Sequence, residues 1–285
     1  MRFDSLNADL RRWLQSSLDA GHDGEALLQA LRAAGYDDGF ARQAVEAALA
    51  RLRRSAAAPE PSRGFLAPFA VPANTVRIGD RAVEILMTIG SPRIVLFGNL
   101  LSGEECEQMI EASRQRLQRS TVVNAATGAY DVHADRTSSG THFERGETPL
   151  VARIEQRIGE LIGCPAEHGE PLQVLHYPPG AEYKAHYDYF DPAQPGNDRV
   201  LAAGGQRIAT VVIYLNDVEA GGSTVFPTLG LAVLPRRGAA LYFAYTSESG
   251  ETDPRTLHGG SAVVAGEKWI ATKWLRQRRY GALVS

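Results

Sequence analysis

The second half of the chain contains a series of short segments with the apolar patterns of β-strands. Their lengths are typical of strands, and turns that contain Gly and Pro separate them. The segments are PLQVLHY (171–177), RIATVVIYLND (207–217), GAALYFAY (238–245), SAVVAG (261–266) and KWIATKWLR (268–276). Because no helical segments alternate with these strands, the pattern argues against a doubly wound parallel sheet and favours an antiparallel barrel or jelly roll.

Upstream of these strands the patterns are mainly helical. Residues 93–117 read as a strand followed by a helix, and a second helix is predicted over residues 149–163. Helices that precede a block of strands, instead of alternating with it, indicate the α+β class. We therefore predict one α+β domain over residues 76–285, with its core at about residues 170–278.

The first 54 residues predict a separate small helical module. Leu10, Leu14 and Leu18 have the spacing of an amphipathic helix, and two similar stretches follow before residue 54. The three short helices of residues 1–54 resemble a ubiquitin-associated-type bundle. Two interpretations are open, a module that binds a partner and a domain that packs on its neighbour. Residues 55–75, with four prolines, are predicted to be a linker.

Charge and cysteine content limit the classes of function. The chain of 285 residues has a formal net charge of -3, which argues against a nucleic-acid partner, since such proteins carry a basic surface. Cys106 and Cys164 stand in no paired metal-ligand motif, so we expect buried thiols in a reducing compartment. The N-terminus lacks the apolar core of a signal peptide, and no apolar run reaches the length of a membrane span. These features predict a cytoplasmic protein with no membrane partner.

The segment AEYKAHYDYFDP (181–192) places His186 and Asp188 two residues apart among tyrosines. On a β-strand, residues i and i+2 point to the same side, so both side chains can reach one point. Such residues form either a buried hydrogen-bonded pair or two ligands of one metal ion. A second pair with the same spacing, His133 and Asp135, occurs earlier in the chain.

Later residues favour the pair at positions 186 and 188. His258 follows after several strands, and His186, Asp188 and His258 together match the two-His-one-carboxylate triad of non-haem Fe(II) enzymes. Lys268 stands ten residues beyond His258 on an inward strand face, where a lysine requires an anionic partner. If His133, Asp135 and His186 formed the triad instead, the position ten residues after the last histidine would be Gly196 and not a lysine. A histidine on a buried strand is otherwise most often a hydrogen-bonded core residue.

Six motifs occur in the same order in this chain and in one known family. They are RTSSG (136–140), EPLQVLHYPPGAEYKAHYDYF (170–190), RIATVVIYLND (207–217), GGSTVFP (221–227), VLPRRGAALYF (233–243) and LHGGSAVVAGEKWIATKW (257–274). From about residue 90 to residue 278 the chain resembles the prolyl 4-hydroxylases, which are Fe(II)- and 2-oxoglutarate-dependent dioxygenases. The resemblance implies an oxidoreductase whose catalytic core is a double-stranded β-helix, or jelly roll.

The resemblance implies a role for each candidate site residue. His186, Asp188 and His258 would ligate Fe(II), and Lys268 would pair with the far carboxylate of 2-oxoglutarate. Two more residues match positions that hydrogen-bond the same carboxylate, and four match positions that contact the substrate. The first two are Tyr177 and Thr224, and the four are Tyr183 and Trp274, which would wall the proline, with Arg207 and Glu170, which would contact the peptide.

The position of Tyr183 requires an irregular strand. Tyr183 lies three residues before His186, so a regular strand would place the two side chains on opposite faces. The family resemblance nevertheless places both at the site. A bend or β-bulge between them is therefore predicted.

Two features leave the substrate open. Arg276 stands two residues after Trp274, where relatives carry a histidine that contacts the substrate, and this difference puts a preference for peptides in question. The loop between Asp188 and the strand that begins at Arg207, DPAQPGNDRVLAAGGQ (191–206), is slightly long for a connection of this kind. Its Pro and Gly content fits either a mobile lid over the iron or an ordinary surface loop.

The resemblance implies hydroxylation of proline C4 in a protein or peptide, with release of succinate and CO₂ and with L-ascorbate to restore Fe(II). Two alternatives are kept. The same cofactors could act on a free amino acid or other small molecule, or a catalytically silent barrel could belong to a binding protein whose N-terminal helices recognise a partner. The intact triad and Lys268 argue against the silent barrel.

Overall fold

In a computed structural model of the protein, the predicted strand segments form antiparallel sheets. The structure describes residues 6–19, 22–57, 74–120, 122–123, 130–131, 136–246 and 251–281. The chain divides into two units, Met1–Ser62 and Arg63–Ser285. Each unit has a hydrophobic core of its own, and the two are described separately.

The first unit contains three helices. They are α1 (Ala8–Asp19), α2 (Gly24–Ala33) and α3 (Asp38–Ala57). Asp23 caps α2 by accepting a hydrogen bond from the backbone N–H of Ala26 (2.8 Å). Gly35, with φ of 85°, allows the chain to turn after this helix. Leu14 and Leu31 are buried in the core that the helices share.

The last helix of the first unit extends into the predicted linker. Because α3 continues to Ala57, the first three residues of the predicted 55–75 linker are helical. Residues 58–73 lie outside the described part of the chain, and β-structure starts at Thr75. The domain boundaries, the likeness to a ubiquitin-associated bundle and a role in partner binding stay predictions.

The second unit is built around a nine-stranded antiparallel sheet, and four of the five predicted strand segments lie in it. In spatial order its strands, numbered along the chain, are β1 (Thr75–Ile78), β2 (Arg81–Ile89), β3 (Ile94–Gly98), β14 (Ala240–Ala244), β10 (Arg207–Tyr214), β17 (Lys268–Arg276), β8 (Leu172–Tyr177), β7 (Ser139–Phe143) and β4 (Gln118–Arg119). Neighbours in this order are mostly distant in sequence, so the sheet brings together strands from the whole unit.

A four-stranded antiparallel sheet packs against the large sheet. In spatial order its strands are β13 (Leu231–Val233), β12 (Thr224–Phe226), β15 (His258–Gly260) and β9 (Tyr183–His186). Two further strand pairs are β11 (Ala220–Gly221) with β16 (Val263–Ala265), and β5 (Val122–Val123) with β6 (Tyr130–Asp131). The segment SAVVAG, predicted as a strand, forms β16.

Strand β10 contributes to two cores. Val211 and Ile213 belong to a hydrophobic cluster that includes residues of two helices. Val212 and Tyr214 belong to a second cluster, which includes Phe226 of the small sheet. Because side chains alternate across a strand, one face of the large sheet packs against helices and the other face packs against the small sheet. This burial on both faces explains why the sequence of β10 is almost continuously apolar.

Two helices pack on the outer face of the large sheet, and a short third helix lies in the segment 191–206. They are α4 (Gly103–Arg114), α5 (Pro149–Ile162) and α6 (Asp198–Ala202). Ser102 and Glu105 form a capping box at the start of α4, where each side chain accepts a hydrogen bond from the other's backbone N–H (3.1 and 2.9 Å). The two helices predicted from the sequence are confirmed.

Two antiparallel sheets packed face to face, with helices on the outer face of the larger one, form a double-stranded β-helix of the α+β class. The predicted fold class is therefore confirmed. In the part of the chain that the structure describes, no helix has the length and apolar character needed to cross a membrane. Cys106 and Cys164 are buried free thiols, as expected, and a cytoplasmic location stays a prediction.

A buried ion pair joins α5 to the large sheet. Lys273 of β17 donates a hydrogen bond to the carboxylate of Glu155, and the two side chains are 2% and 3% exposed. Glu155 also accepts a hydrogen bond from the backbone N–H of Gly146 (2.9 Å). A charge removed from water needs a counter-charge, so loss of one partner destabilises the fold strongly.

Replacement of Glu155 by glutamine tests this pair. We expect Glu155→Gln to lower the free energy of unfolding by about 3 kcal/mol, because the Lys273 ammonium loses its counter-charge. Chemical denaturation followed by circular dichroism measures the change. Glu160→Gln, on the exposed side of the same helix, is the control and should change the free energy by less than about 0.5 kcal/mol. Equal losses in the two variants would contradict the structural role of the pair.

Candidate active site

The predicted triad residues converge on adjacent strands of the small sheet. His186 of β9 and His258 of β15 are directly opposite each other in the antiparallel register, and Asp188 follows β9 by two residues. Each side chain offers a ligand atom, and these atoms lie within 4.8 Å of one another. Nε2 of His186 is 3.6 Å from Oδ1 of Asp188, and Nε2 of His258 is 3.4 Å from Oδ2.

The far nitrogen of each histidine faces a backbone carbonyl. Nδ1 of His186 lies 2.8 Å from the carbonyl oxygen of Lys184, and Nδ1 of His258 lies 3.0 Å from that of Thr256. A proton on Nδ1 that is donated to the carbonyl leaves the lone pair on Nε2, which faces Asp188. Burial lowers the pKa of His186 and so favours this neutral form.

The carboxylate of Asp188 is held ionised and oriented. Burial by itself raises the pKa of Asp188, but in the metal-free site a second proton on the facing imidazoles would hold this pKa well below its ordinary value. Thr210 Oγ1 donates a hydrogen bond to Oδ2 (2.6 Å), and the Tyr245 hydroxyl hydrogen-bonds Thr210 in turn. Thr210 and Tyr245 are fully buried, and the sequence analysis missed both. The detectable signal was a threonine inside the apolar strand RIATVVIY.

Lys268 is a buried lysine for which the described residues supply no counter-charge. Its residue is 2% exposed, and no carboxylate in the described ranges forms an ion pair with it. Burial lowers the pKa of Lys268 to about 8. Lys273, five residues along the same strand, has Glu155 as its partner. A buried lysine that lacks such a partner fits a site for an anionic ligand.

Tyr177 lies next to Lys268, and Thr224 lies opposite a glycine that is close to Lys268; their bonds to a cosubstrate stay a prediction. Tyr177 pairs with Lys268 in the register of β8 and β17, and the Lys268 Nζ lies 5.4 Å from the Tyr177 ring centroid. Thr224 stands opposite Gly260, and a Cβ at position 260 would come 3.7 Å from Lys268 Nζ. The Thr224 Oγ1 accepts a hydrogen bond from the hydroxyl of Tyr214 (2.8 Å), which the sequence analysis missed.

The predicted irregularity of β9 is present. His258 pairs with His186, whereas Gly260 pairs with Tyr183, so three residue steps on β9 oppose two on β15. This extra residue is a β-bulge, and it turns the Tyr183 ring onto the His186 ring with 3.7 Å between centroids. Arg136, within the RTSSG motif, places its guanidinium carbon 4.8 Å from the Tyr183 ring centroid.

The other predicted substrate residues form one cluster. The guanidinium of Arg207 binds both oxygens of Glu170 (2.6 and 2.9 Å), and its carbon lies 4.0 Å from the Trp274 ring centroid. Arg207 also donates to the backbone carbonyl of Asp188 (3.3 Å), which connects the cluster to the triad. The structure therefore brings Trp274, Arg207 and Glu170 together, and their contact with a peptide stays a prediction.

The structure defines the positions of Arg276 and of the 191–206 segment, the two features that left the identity of the substrate open. Arg276 is 1% exposed and points into the protein, where it pairs with Glu170. The 191–206 segment contains α6 and a short 3-10 turn at Pro195–Asn197. The alternative histidine-aspartate pair, His133 and Asp135, lies outside the described residues.

The residues present fit Fe(II) and 2-oxoglutarate. Two imidazoles and one carboxylate that meet at one point, with hydrogen bonds supporting each, suit a divalent iron that keeps other positions open. The buried Lys268 supplies a positive charge for a carboxylate of a 2-oxo acid. The fold and this site define the class of the protein, a 2-oxoglutarate- and Fe(II)-dependent oxygenase.

Comparison with known proteins agrees with this class. Residues 172–276 match the family model of the 2OG-Fe(II) oxygenase superfamily. Probable prolyl 4-hydroxylase 10 of Arabidopsis thaliana is 43% identical over 221 residues, which cover 70% of this chain and 74% of the relative. Prolyl 4-hydroxylase 1 of the same plant is 43% identical over 222 residues, which cover 72% of this chain and 76% of the relative. The chain belongs to the prolyl 4-hydroxylase family.

A solved structure shows the same fold. The viral collagen prolyl hydroxylase of Paramecium bursaria Chlorella virus-1, in its complex with 2-oxoglutarate, is 29% identical to this chain. The superposition has a TM-score of 0.51 and covers 64% of this chain and 95% of the viral protein. The predicted family and the predicted enzyme class, an oxidoreductase, are confirmed.

The support that Thr210 gives to Asp188 is testable. We expect Thr210→Val to weaken binding of Mn(II) to the metal-free protein about tenfold, because the carboxylate loses the hydrogen bond that orients it. Titration calorimetry measures the affinity. Thr228→Val, at an exposed position, should leave the affinity unchanged, and His186→Ala marks the loss of a ligand. Wild-type affinity in Thr210→Val would contradict the orienting role.

Proposed function

We propose that this chain hydroxylates prolyl residues at C4 in a protein or peptide, with Fe(II) and 2-oxoglutarate. The triad, together with Lys268, for which the described residues supply no carboxylate, carries the cofactor part of this proposal. Identity of 43% with two prolyl 4-hydroxylases supports the prolyl substrate. Iron bound at this site supplies the oxidative chemistry, in which O₂ and 2-oxoglutarate yield succinate, CO₂ and a hydroxyl group on the substrate.

The three ligands must hold particular protonation states. His186 and His258 each present Nε2 without a proton, because Nδ1 faces a carbonyl, and Asp188 is ionised. Protons compete with the metal for these atoms, so activity declines under acid conditions. Thr210 keeps the Asp188 carboxylate from rotating during turnover.

Lys268, Tyr177 and Thr224 bind the far carboxylate of 2-oxoglutarate. A carboxylate at Lys268 would supply the counter-charge that the described residues do not provide there, and the two hydroxyls would add hydrogen bonds. The fixed distance between this point and the triad would orient the 2-oxo acid. Placement of the cosubstrate would thus follow from the geometry of β17 and the small sheet.

Tyr183 and Trp274 form the apolar walls for the proline ring, and Arg207 and Glu170 contact the peptide. Stacking of Tyr183 on His186 puts an aromatic face next to a metal ligand. Trp274 is held by the guanidinium of Arg207, whose position above the ring is favoured by a cation–π interaction. Aromatic walls beside charged groups suit a substrate that has an apolar ring in a polar backbone.

Two further parts of the proposal concern accessory partners. L-Ascorbate would restore Fe(II) after oxidation without substrate turnover. The N-terminal helices would recruit a protein partner or substrate, since they form a unit with its own core. A truncated chain without residues 1–54 that loses activity on a protein, but keeps activity on peptides, would support recruitment.

The pKa of Lys268 predicts how binding of 2-oxoglutarate depends on pH. Its pKa is about 8 in the free protein, so the ammonium that attracts the carboxylate is present below this pH and is lost as the pH rises through it. Affinity of the Mn(II)-loaded protein for 2-oxoglutarate should therefore fall about tenfold between about pH 7 and pH 9.

Titration calorimetry at both pH values measures this dependence, and Lys268→Arg is the matched variant. An arginine keeps its proton throughout this range, so the affinity of the variant should stay constant. A fall of the same size in wild type and variant would assign the pH dependence to a group other than Lys268.

The central experiment measures succinate release from 2-oxoglutarate with Fe(II) and ascorbate, with and without proline-containing peptides. We expect peptides to stimulate release and to gain about 16 Da on proline, the mass of one oxygen atom. Release without peptide stimulation would contradict the prolyl substrate and favour a free amino acid or other small molecule. No release from a protein that binds the metal would favour a binding protein with a silent barrel.

A further inference from the structure

Residues 196–206, here called the 196–206 segment, are fastened to the end of β17. Backbone N–H groups of three residues after the strand donate hydrogen bonds to carbonyls of the segment. The pairs are Gln277 to Gln206 (3.0 Å), Arg278 to Gly204 (2.9 Å) and Gly281 to Ala203 (2.8 Å). These bonds join the C-terminal part of the segment to the residues that follow β17.

One side chain reinforces this connection. Nη1 of Arg276 donates hydrogen bonds to the carbonyls of Gly205 (2.6 Å) and Val200 (3.2 Å). A helix that ends without partners for its last carbonyls exposes them to competition from water. Arg276 binds a carbonyl within α6 and one just beyond it, so it fixes this part of the segment from the protein interior.

The same guanidinium holds Glu170. Nε of Arg276 lies 2.6 Å from Oε1 of Glu170, the oxygen that also accepts from Nε of Arg207 at 2.6 Å. Glu170 is thus shared by two arginines, and its pKa stays low despite burial because both guanidiniums face it. The Glu170 side chain is therefore held by one arginine on β10 and by another on β17.

Two positive charges share one negative charge in this cluster. The side chains of Arg276, Arg207 and Glu170 are 1%, 13% and 10% exposed. Backbone carbonyl oxygens accept further N–H groups: those of Val200 and Gly205 accept from Arg276, and that of Asp188 accepts from Arg207. Each guanidinium is therefore fixed in direction as well as in charge.

The orientation of Arg207 decides where Trp274 presents its ring. The Arg207 guanidinium carbon is 4.0 Å from the Trp274 ring centroid and 4.7 Å from that of Phe190. Arg276 lies 5.1 Å from the centroid of the same Phe190 ring. If Glu170 lost the support of Arg276, the Arg207 side chain would no longer have a single position above Trp274.

Arg276 itself is too deep to contact a substrate. Its residue is 1% exposed, and its guanidinium is directed at Glu170 and at backbone carbonyls of the 196–206 segment. A lysine would not reproduce its contacts, because an ammonium is a compact charge and the planar guanidinium reaches three acceptors in separate directions.

We propose that Arg276 is a positioning residue for the substrate: it joins the 196–206 segment to the Glu170–Arg207 pair and so keeps Arg207 and Trp274 in the arrangement that a proline-containing peptide binds. This inference rests on the proposed function. It assigns to this chain a specificity-determining contact that lies inside the protein.

Two readouts test the proposal. In Arg276→Gln and Arg276→Lys, we expect the KM for peptide to rise about tenfold, while the KM for 2-oxoglutarate and the peptide-independent release of succinate stay unchanged. Trypsin cleavage after Arg199, an exposed residue of the segment, should become faster in both variants. Arg279→Gln, exposed and near the same strand end, is the control for both readouts.

The outcomes are distinguishable. An unchanged KM for peptide in both variants would overturn the proposal, even if the melting temperature fell. Equal increases in the KM values for peptide and 2-oxoglutarate would also overturn it, because they indicate a general loss of structure. If the wild-type protein shows no peptide stimulation, the proposed function fails, and the cleavage rate after Arg199 alone then decides whether Arg276 holds the segment.

Discussion

The site depends on the pairing of β9 with β15, which sets the two histidines opposite each other. This pairing requires close approach of the backbones at Gly259, where a Cβ would lie 2.8 Å from the carbonyl oxygen of Tyr183. The β-bulge beside it adds one residue to β9, so that Tyr183 as well as His186 turns towards the site. Asp188 completes the triad just after the strand. One strand pair thus sets the positions of two ligands and one aromatic wall.

Strand β17 carries two buried lysines, Lys268 and Lys273, whose surroundings differ. Lys273 faces the helical side of the large sheet and has the Glu155 carboxylate as its partner, which makes it part of the framework. Lys268 faces the small sheet beside Tyr177, and the described residues provide it with no carboxylate. The first lysine joins α5 to the sheet. The second keeps an unsatisfied charge where an anionic cosubstrate fits, because desolvation without compensation makes such a position receptive to a carboxylate.

The triad and the cluster of Glu170, Arg207 and Trp274 are joined through β10. Its residue Thr210 bonds the carboxylate of Asp188, and its residue Arg207 bonds the carbonyl of the same aspartate. Arg207 extends the connection to Glu170, and Trp274 lies opposite Thr210 in the register of β10 and β17. A displacement of this strand would alter the metal centre and the aromatic wall together. The site therefore gains its rigidity from the large sheet, although two of its three ligands belong to the small one.

Much of the fold was readable from the sequence, because strand alternation is a local property with a period of two residues. That period predicted Lys268 on an inward strand face. The resemblance to prolyl 4-hydroxylases implied the roles of the triad residues and required a bend or bulge between Tyr183 and His186. The hydrogen bond from Thr210 to Asp188 and the burial of the Arg276 side chain could not be predicted from the sequence. They depend on which strands become neighbours, and β10 lies between β14 and β17, both distant in sequence. The sequence by itself determined the class of fold and the chemical groups available. Tertiary structure alone decided which buried polar groups meet, because hydrogen bonds and ion pairs require distances that only the packed sheets impose.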